Sequence, residues 1–174
     1  RAFVPEINND LSVDVARDFL KLYDAKVLSE KALETTKFDL TVIATPSSFH
    51  YSQTSLAIQN SEKVFVEKPV CLDADQVLNL QQKALKAGTI VAVCSQWRYT
   101  GLIRRVKDIL NSGILGKLVF VSSLVSEYMP DWHKYEDYRK SYASRSDLGG
   151  GVIATQIHEI DILFYLLGGL EVKS

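Results

Sequence analysis

Lys68 has the surroundings that first suggest chemistry, because it lies between a carboxylate and a proline in Val-Phe-Val-Glu-Lys-Pro, residues 64–69. The apolar run before it predicts a short strand, and Pro69 restricts the preceding backbone to an extended or turn geometry. A lysine held near apolar walls has a lowered pKa and can donate or accept a proton. A solvated lysine at a strand end is the alternative interpretation, and these six residues alone do not decide between the two.

Three other polar clusters interrupt the chain at comparable places. They are Ala44-Thr45-Pro46 with His50, then Trp97-Arg98-Tyr99, then Gly149-Gly150-Gly151 with His158 and Asp161. The first two follow apolar runs, and ligands of open α/β sheets bind at the carboxyl ends of the strands. An arginine at position 98 suits a phosphate or a carboxylate of a ligand, with an ion pair between domains as an equal alternative.

The spacing of apolar residues predicts the elements that position these clusters. Short apolar runs at 40–44, 63–66 and 89–94 suit buried parallel strands, and 2–5 reads as the end of another. Helices are expected after Asp10 or Ser12, from about 52 to 59, and from Asp73 to about Gly88. Strands and helices that alternate at this spacing are typical of βαβ units, so we predict a parallel doubly wound sheet up to residue 97.

The pattern changes in the second half of the chain. Residues 102–110 predict an amphipathic helix, and 118–128 alternate as one long strand, which favours an open, partly antiparallel sheet. Residues 129–148 show no clear period and predict a loop, and loops of this length are usually functional or disordered. A final helix follows the three glycines and carries His158. We therefore expect an α/β protein with domains at 1–97 and 98–174.

Composition excludes several kinds of partner. The 174 residues are 47% hydrophobic and 24% charged, which suits a folded core. The net charge is −1 and the basic residues are dispersed, so neither nucleic acid nor an acidic membrane is an expected partner. No apolar run approaches the roughly 20 residues that span a bilayer. Cys71 and Cys94 lack metal-type spacing, so we expect no metal site, and two unpaired cysteines fit the cytoplasm.

In this order and at these spacings, the four clusters resemble the Gfo/Idh/MocA family of NAD(P)-dependent sugar, inositol and nucleotide-sugar oxidoreductases. The resemblance runs from about Phe3 to Gly169. It implies a partial Rossmann-like parallel sheet, then part of an α+β substrate domain with an open, largely antiparallel sheet. It also implies a homo-oligomer formed through the second domain, and a cis peptide bond between Lys68 and Pro69.

The resemblance assigns expected roles residue by residue. Lys68 and His158 are the implied catalytic pair, and both would touch the substrate. The implied cofactor contacts are Glu6, Ala44, Thr45, Pro46, His50, Glu67, Lys68 and Arg98. A cap or packing role is an equal alternative for His50. The implied substrate contacts are Lys68, Tyr99, Thr155, His158 and Asp161. Residues 7–9 offer no arginine for a 2′-phosphate, so NAD is favoured slightly over NADP.

Two departures from the family pattern matter. The Gly-x-Gly-x-x-Gly turn that binds the pyrophosphate is not in the sequence, and the family's second sheet continues past residue 174. We therefore interpret the chain as an internal fragment, or as the ordered part of a longer chain. Many relatives carry an aspartate three or four residues before the histidine, where this chain has Thr155 and Ala154. Thr155 supplies no negative charge, which leaves more of the proton transfer to Lys68 and His158.

Three functions remain open on the sequence. The first is an NAD(P)-dependent oxidoreductase that acts on a hydroxyl carbon of a sugar, cyclitol or nucleotide sugar. The second is a glycoside hydrolase on the same fold that uses NAD within each turnover. The third is a non-catalytic relative that senses nucleotide. The intact Glu67-Lys68-Pro69 and His158 argue against it, and the missing aspartate before His158 argues mildly for it.

Overall fold

Three parallel strands, in the order β1-β2-β3, form the sheet in the described part of the computed structural model, which comprises residues 18, 21–22, 30–132 and 137–171. They are β1 (Phe38–Ile43), β2 (Ser61–Val66) and β3 (Ile90–Val93). Ile43 lies opposite Val66, and Val66 opposite Val93. This register brings the carboxyl ends of all three strands to one level. The predicted α/β class with a parallel sheet is confirmed.

Helices precede, connect and follow the strands. They are α1 (Glu30–Thr35), α2 (His50–Asn60), α3 (Ala74–Ala87), α4 (Gly101–Asn111), α5 (Val152–Thr155) and α6 (Ile157–Leu167). The Asp73 carboxylate caps α3 by accepting from the backbone N–H groups of Asp75 and Gln76. Gly88 ends α3 in the left-handed conformation, with φ of 70°. The residue that caps α3 and the residue that ends it therefore lie where the sequence predicts them.

The core lies on one face of the sheet. Its buried members come from β1, α2, β2 and the segment through α3, namely Ile43, Ala57, Ile58, Val64, Val66, Cys71 and Leu80. Full burial of one such aliphatic side chain contributes about 1.5–3 kcal/mol. Alternate residues point the other way, and Leu40, Val42 and Phe65 are exposed among the described residues. The continuous burial expected for 40–44 is therefore found on one face only.

Residues 118–128 form no strand in the described part of the chain. They run without regular secondary structure, and Val119 is 93% exposed and Leu124 91% exposed. A strand is stabilised by backbone hydrogen bonds to a neighbour, and no described segment pairs with this one. The long strand and the antiparallel sheet expected for the second domain are not found there, because alternation alone supplies no pairing partner.

Some predictions fall on residues outside those described. The strand end at 2–5, the proposed ribose contact Glu6 and the segment 7–9 are among them. Of the first predicted helix, only Asp18, Lys21 and Leu22 are described, and all three are helical. No helix within the described ranges is long and apolar enough to cross a membrane.

Candidate functional site

The sheet ladder continues one residue beyond the strands and aligns the segments that follow them. The Glu67 N–H donates to the Ile43 carbonyl oxygen at 2.9 Å, and the Cys94 N–H donates to the Val66 carbonyl oxygen at 2.8 Å. The segments that begin after Ile43, Val66 and Val93 therefore leave the sheet side by side. The structure thus brings the Thr45 turn and the Lys68 turn to one sheet edge.

Lys68 extends from this edge to the last part of the chain. The Lys68–Pro69 peptide bond is cis, as predicted. The Lys68 side chain is partly buried, and its Nζ donates to the Thr155 carbonyl oxygen at 2.9 Å. Burial lowers the pKa of Lys68 below its ordinary value, while the negative charge of Glu67, and after it that of the Cys94 thiolate at alkaline pH, opposes that shift. A lysine with a lowered pKa is suited to proton transfer.

His158 lies in the first turn of α6, three residues after Thr155. Its Nε2 is 3.5 Å from the side-chain nitrogen of Gln96, and its ring meets Trp97 edge-on at 6.4 Å between centroids. Burial lowers the pKa of His158, and the positive charge of Lys68 lowers it further. Glu67, Asp161 and Glu159 act in the opposite direction. A neutral imidazole at this position can accept a proton or a hydrogen bond.

A break in the predicted final helix separates α5 from α6 at Gln156, whose φ is −94° and ψ is 23°. The Gln156 N–H still bonds to the Val152 carbonyl oxygen at 2.8 Å. The Glu159 N–H turns to the Gln156 carbonyl oxygen at 3.1 Å instead of continuing the regular i→i−4 pattern to Thr155. The Thr155 carbonyl oxygen is thereby presented to Lys68.

His50 is placed differently from the sequence expectation. Its side chain is only 1% exposed. Nδ1 lies 2.6 Å from the Pro69 carbonyl oxygen, and Nε2 lies 2.8 Å from the Thr45 carbonyl oxygen. Both ring nitrogens thus face backbone acceptors, and no ring atom is presented to a ligand at the sheet edge. The expected direct contact with the cofactor is corrected to a contact that joins the Thr45 turn to the Pro69 turn.

Arg98 and Asp161 bind each other. The Arg98 Nε donates to Asp161 Oδ2 at 2.8 Å, and its Nη2 bonds to Oδ1 of the same carboxylate. The guanidinium also lies over the ring of Tyr165, 5.5 Å from its centroid. Hydrogen bonding to Asp161 raises the pKa of Arg98 further above its ordinary value. The ion pair is the alternative that the sequence left open, so Arg98 and Asp161 do not present free charges to cofactor and substrate here.

The remaining predicted residues lie along the same edge or beside it. Ala44 is exposed directly after β1, and the Thr45 hydroxyl donates to the Gln53 side-chain oxygen at 2.7 Å. Pro46 begins a short 3₁₀ turn at residues 47–49. Tyr99 is exposed, with the Arg104 guanidinium 5.6 Å from its ring centroid. Direct ligand contact by Ala44, Thr45, Pro46 and Tyr99 stays a prediction.

The glycines at 149 and 150 hold the long loop against the turn that follows β1. Gly149 has φ of 80°, and a Cβ there would lie 3.0 Å from the Ser48 nitrogen and 2.9 Å from a Leu72 methyl group. The Gly150 N–H bonds to the Arg145 carbonyl oxygen at 2.9 Å. Backbone approach this close requires residues without side chains. The loop that begins at residue 129 therefore returns to the same sheet edge.

Three further residues at the site were not predicted as site residues. Gln96 and Trp97 contact His158, and Cys94 lies close enough to Lys68 to affect its pKa. Burial and a hydrogen bond with Glu67 raise the pKa of the Cys94 thiol, so it stays protonated at neutral pH. All three lie within four residues after the end of β3, and that position at the carboxyl end of a strand was the signal that could have found them.

An open groove of about 580 Å³ lies at the opposite end of the sheet, lined among others by Lys37, Asn60 and Gly88. These residues precede or begin the strands, so the groove is separate from the edge that carries Lys68. The described ranges contain no group of three or more His, Cys, Asp or Glu side chains able to hold a metal ion.

A parallel sheet with a partly buried lysine at its carboxyl edge, which bonds to a helix from later in the chain, is the arrangement of a Rossmann-type α/β protein. The family described as "Oxidoreductase family, NAD-binding Rossmann fold" matches residues 5–95. The "GFO/IDH/MocA C-terminal domain" matches residues 103–174. The chain belongs to the Gfo/Idh/MocA family, and the resemblance carried by the four clusters is confirmed.

Curated relatives share about a quarter of the sequence. D-glucoside 3-dehydrogenase of Escherichia coli is 25% identical over 180 residues, which covers 95% of this chain and 49% of the relative. The NADP⁺-dependent scyllo-inositol 2-dehydrogenase of Bacillus subtilis is 25% identical over 161 residues, which covers 89% of this chain and 44% of the relative. The chain therefore spans about half of the length of these relatives.

Solved structures agree on the fold. The crystal structure of an oxidoreductase from Bacillus cereus superposes with a TM-score of 0.71 at 22% identity. The match covers 95% of this chain and 45% of that protein. At this identity the likeness supports the fold and not a particular substrate.

Proposed function

We propose that this chain forms the catalytic side of an NAD(P)-dependent oxidoreductase that transfers a hydride between the nicotinamide and a hydroxyl carbon of a sugar, cyclitol or nucleotide sugar. The observation that carries the proposal is the proximity of Lys68 and His158 at the carboxyl edge of the sheet. Lys68 reaches the carbonyl of residue 155, and its charge acts on His158 three residues later. Two groups with lowered pKa values at one place are suited to moving a proton.

The sheet edge fits the nicotinamide half of a dinucleotide. Ala44 is small and exposed there, and the Glu67 carboxylate accepts from the Lys68 N–H at 3.2 Å, which helps to fix the turn. When bound, the cofactor takes the hydride from the hydroxyl carbon during oxidation. The chain's own residues handle the proton that must leave the hydroxyl oxygen at the same time.

Lys68 and His158 have different roles in the removal of this proton, because His158 is neutral and Lys68 can carry a positive charge. His158 is held neutral by its surroundings, so it can receive the hydroxyl proton on a ring nitrogen. A protonated Lys68 can donate to the oxygen as negative charge develops on it, which lowers the barrier. The Thr155 carbonyl already holds one N–H of Lys68 and leaves its other N–H groups for the substrate.

The substrate class is proposed from the relatives. Two of them are named as dehydrogenases of a glucoside and of scyllo-inositol, both polyhydroxylated rings. We extend the proposal to two domains, at 1–97 and 98–174, to a homo-oligomer formed through the second, and to a cytoplasmic location. Cys71 and Cys94 are free thiols, which suits a reducing compartment. NAD remains the favoured cofactor because residues 7–9 contain no arginine.

Replacing Lys68 in the full-length chain that contains these residues tests the proposal. Lys68→Ala should lower turnover by at least about a hundredfold, the usual scale for a lost acid–base group. The assay follows reduction of NAD or NADP with a panel of sugars, cyclitols and nucleotide sugars. Folding should be largely retained, because Lys68 lies outside the apolar core.

Lys63→Ala is the matched control, because this lysine is exposed on β2, five residues earlier. Its turnover should stay within about twofold of the wild type. Turnover of Lys68→Ala within a few-fold of the wild type would show that Lys68 is not part of the chemistry. Release of free sugar without net cofactor reduction would favour the hydrolase alternative instead.

A further inference from the structure

The acceptor that holds Lys68 is a backbone carbonyl and not a carboxylate. Residue 155 is threonine, and its hydroxyl oxygen is buried without a hydrogen-bond partner among the described residues. The contact to Lys68 is made by the Thr155 carbonyl oxygen at 2.9 Å. The threonine side chain therefore does not provide the polar contact at this position, and the main chain does.

That carbonyl is available because of the break at Gln156. In an uninterrupted helix the Thr155 carbonyl would accept from the Glu159 N–H, four residues later. Here the Glu159 N–H bonds to the Gln156 carbonyl oxygen. Residue 155 is itself anchored, since its N–H bonds to the Gly151 carbonyl oxygen at 2.9 Å and the residue is only 8% exposed. The acceptor is thus fixed in place before Lys68 reaches it.

We propose that Thr155 is a positioning residue for Lys68, and that the helix break at Gln156 exists to present its carbonyl to the lysine in place of a charged acceptor. The proposal deepens the function proposed above and rests on it for the catalytic role of Lys68. A carbonyl dipole orients the side chain as a carboxylate would, but it stabilises the positive charge less. The chain thereby holds Lys68 in place without raising its pKa as strongly as a carboxylate would.

The other titratable groups around Lys68 lie on or next to three elements. Glu67 adjoins it at the end of β2, Cys94 follows β3, and His158 begins α6. Asp161 and Glu159 act on His158 from the same helix. None of these groups changes in the variants proposed next, so a shift in the titration of Lys68 reports the change at residue 155.

Thr155→Asp and Thr155→Asn, made in the full-length chain, test the placement. The titration of Lys68 is read from its rate of acetylation as a function of pH, by mass spectrometry of the peptide that contains it. The aspartate should move this titration upward by at least about one pH unit, because an opposite charge within about 4–6 Å stabilises the ammonium. Asparagine is of similar size but neutral, so it adds no charge that stabilises the ammonium. Thr155→Asn should therefore leave the Lys68 titration within about 0.3 pH units of the wild type. An unmoved titration in Thr155→Asp, or an equal shift in Thr155→Asn, would overturn the proposal.

A backbone substitution tests the carbonyl itself and remains informative if Thr155→Asp does not fold. Replacing Gln156 by its α-hydroxy acid turns the Thr155–Gln156 amide into an ester, whose carbonyl is a weaker acceptor. The control places an α-hydroxy acid at position 163 inside α6, which also removes one backbone N–H but leaves the Thr155 carbonyl an amide and keeps the Thr155 N–H that anchors it. The first ester should move the Lys68 titration downward and the second should not. Equal titrations would refute the role of the carbonyl.

The acetylation readout does not depend on turnover. If the activity of the protein did not depend on Lys68, the proposed function would be refuted, but the titration results would still test the role of Thr155. Conversely, an active enzyme whose Lys68 titration ignores every change at residues 155 and 156 would retain the proposed function and lose this inference.

Discussion

His50 and Thr54 are two buried polar side chains one turn apart on α2, and they should respond oppositely to apolar replacement. His50 is 1% exposed and its ring nitrogens lie 2.6 Å and 2.8 Å from the Pro69 and Thr45 carbonyl oxygens. Thr54 is 0% exposed, and its hydroxyl has no hydrogen-bond partner among the described residues. The pair therefore separates the effect of a bonded buried polar group from that of an unbonded one.

His50→Leu should destabilise the protein by about 1.5–4.5 kcal/mol. A neutral imidazole donates from one ring nitrogen and an imidazolium from both, so the change removes at least one hydrogen bond. One lost bond is a net loss of about 0.5–1.5 kcal/mol, and a buried carbonyl left without a donor adds about 1–3 kcal/mol. Thr54→Val removes no such bond and keeps the shape, so its effect should lie within about 0.5 kcal/mol of zero or be stabilising.

Urea unfolding of the full-length chain measures both effects. The midpoint concentration should fall for His50→Leu with little change in slope, and should hold or rise for Thr54→Val. If His50→Leu unfolded at the wild-type midpoint, or if Thr54→Val lost as much stability, the bridging contact of His50 would not exist in solution. Reduced cofactor affinity without lost stability would restore the direct contact that the sequence suggested.

Two further predictions concern pH and packing. His158 has a folded pKa below its unfolded value, so the unfolded chain binds more protons and stability should rise with pH up to about 6.5–7. His158→Gln should remove the part of this increase in stability that His158 causes, as measured by urea midpoints between about pH 5 and pH 7. An unchanged dependence of stability on pH would contradict the burial of His158. Gly150→Ala should destabilise by about 1–3 kcal/mol, because its Cβ would overlap the Tyr142 carbonyl oxygen and lie 2.6 Å from the Ala143 carbonyl oxygen. Gly101→Ala, whose Cβ meets nothing within 4 Å among the described residues, is the control and should unfold near or above the wild-type midpoint; equal losses in both variants would show that the loop is not packed as described.

The parallel half of the fold could be predicted because its signals are local. Asp73 begins α3 by capping its first N–H groups, and Gly88 ends it in the left-handed conformation. Both effects depend only on residues that are neighbours in sequence. The end of β2 could be predicted for the same reason, because the apolar run and the Glu67-Lys68-Pro69 that follows it are neighbours in sequence. The strand predicted at 118–128 failed because pairing depends on a second segment, which alternation within one segment does not supply.

The candidate site was predictable in its members and less so in its contacts. The motifs placed Lys68 and His158 together, but they did not reveal that the Thr155 backbone would hold the lysine. The charges of Arg98 and Asp161 suit either a bound ligand or an ion pair between the two residues, and the sequence could not decide which of these they form. For His50 the sequence could not decide between packing and cofactor contact, because a histidine near a turn has the same sequence signature whether its ring faces outward or inward.

The hydrogen bond between Lys68 and Thr155 has a consequence for the order of folding. It closes a loop of 87 residues, and closing a flexible loop of that length costs about 4 kcal/mol in chain entropy beyond a constant. A single hydrogen bond contributes about 0.5–1.5 kcal/mol and cannot meet that cost alone. The βαβ units are local in sequence and can form without the loop being closed. We therefore expect the contact between Lys68 and Thr155 to form late, on a sheet that has already folded.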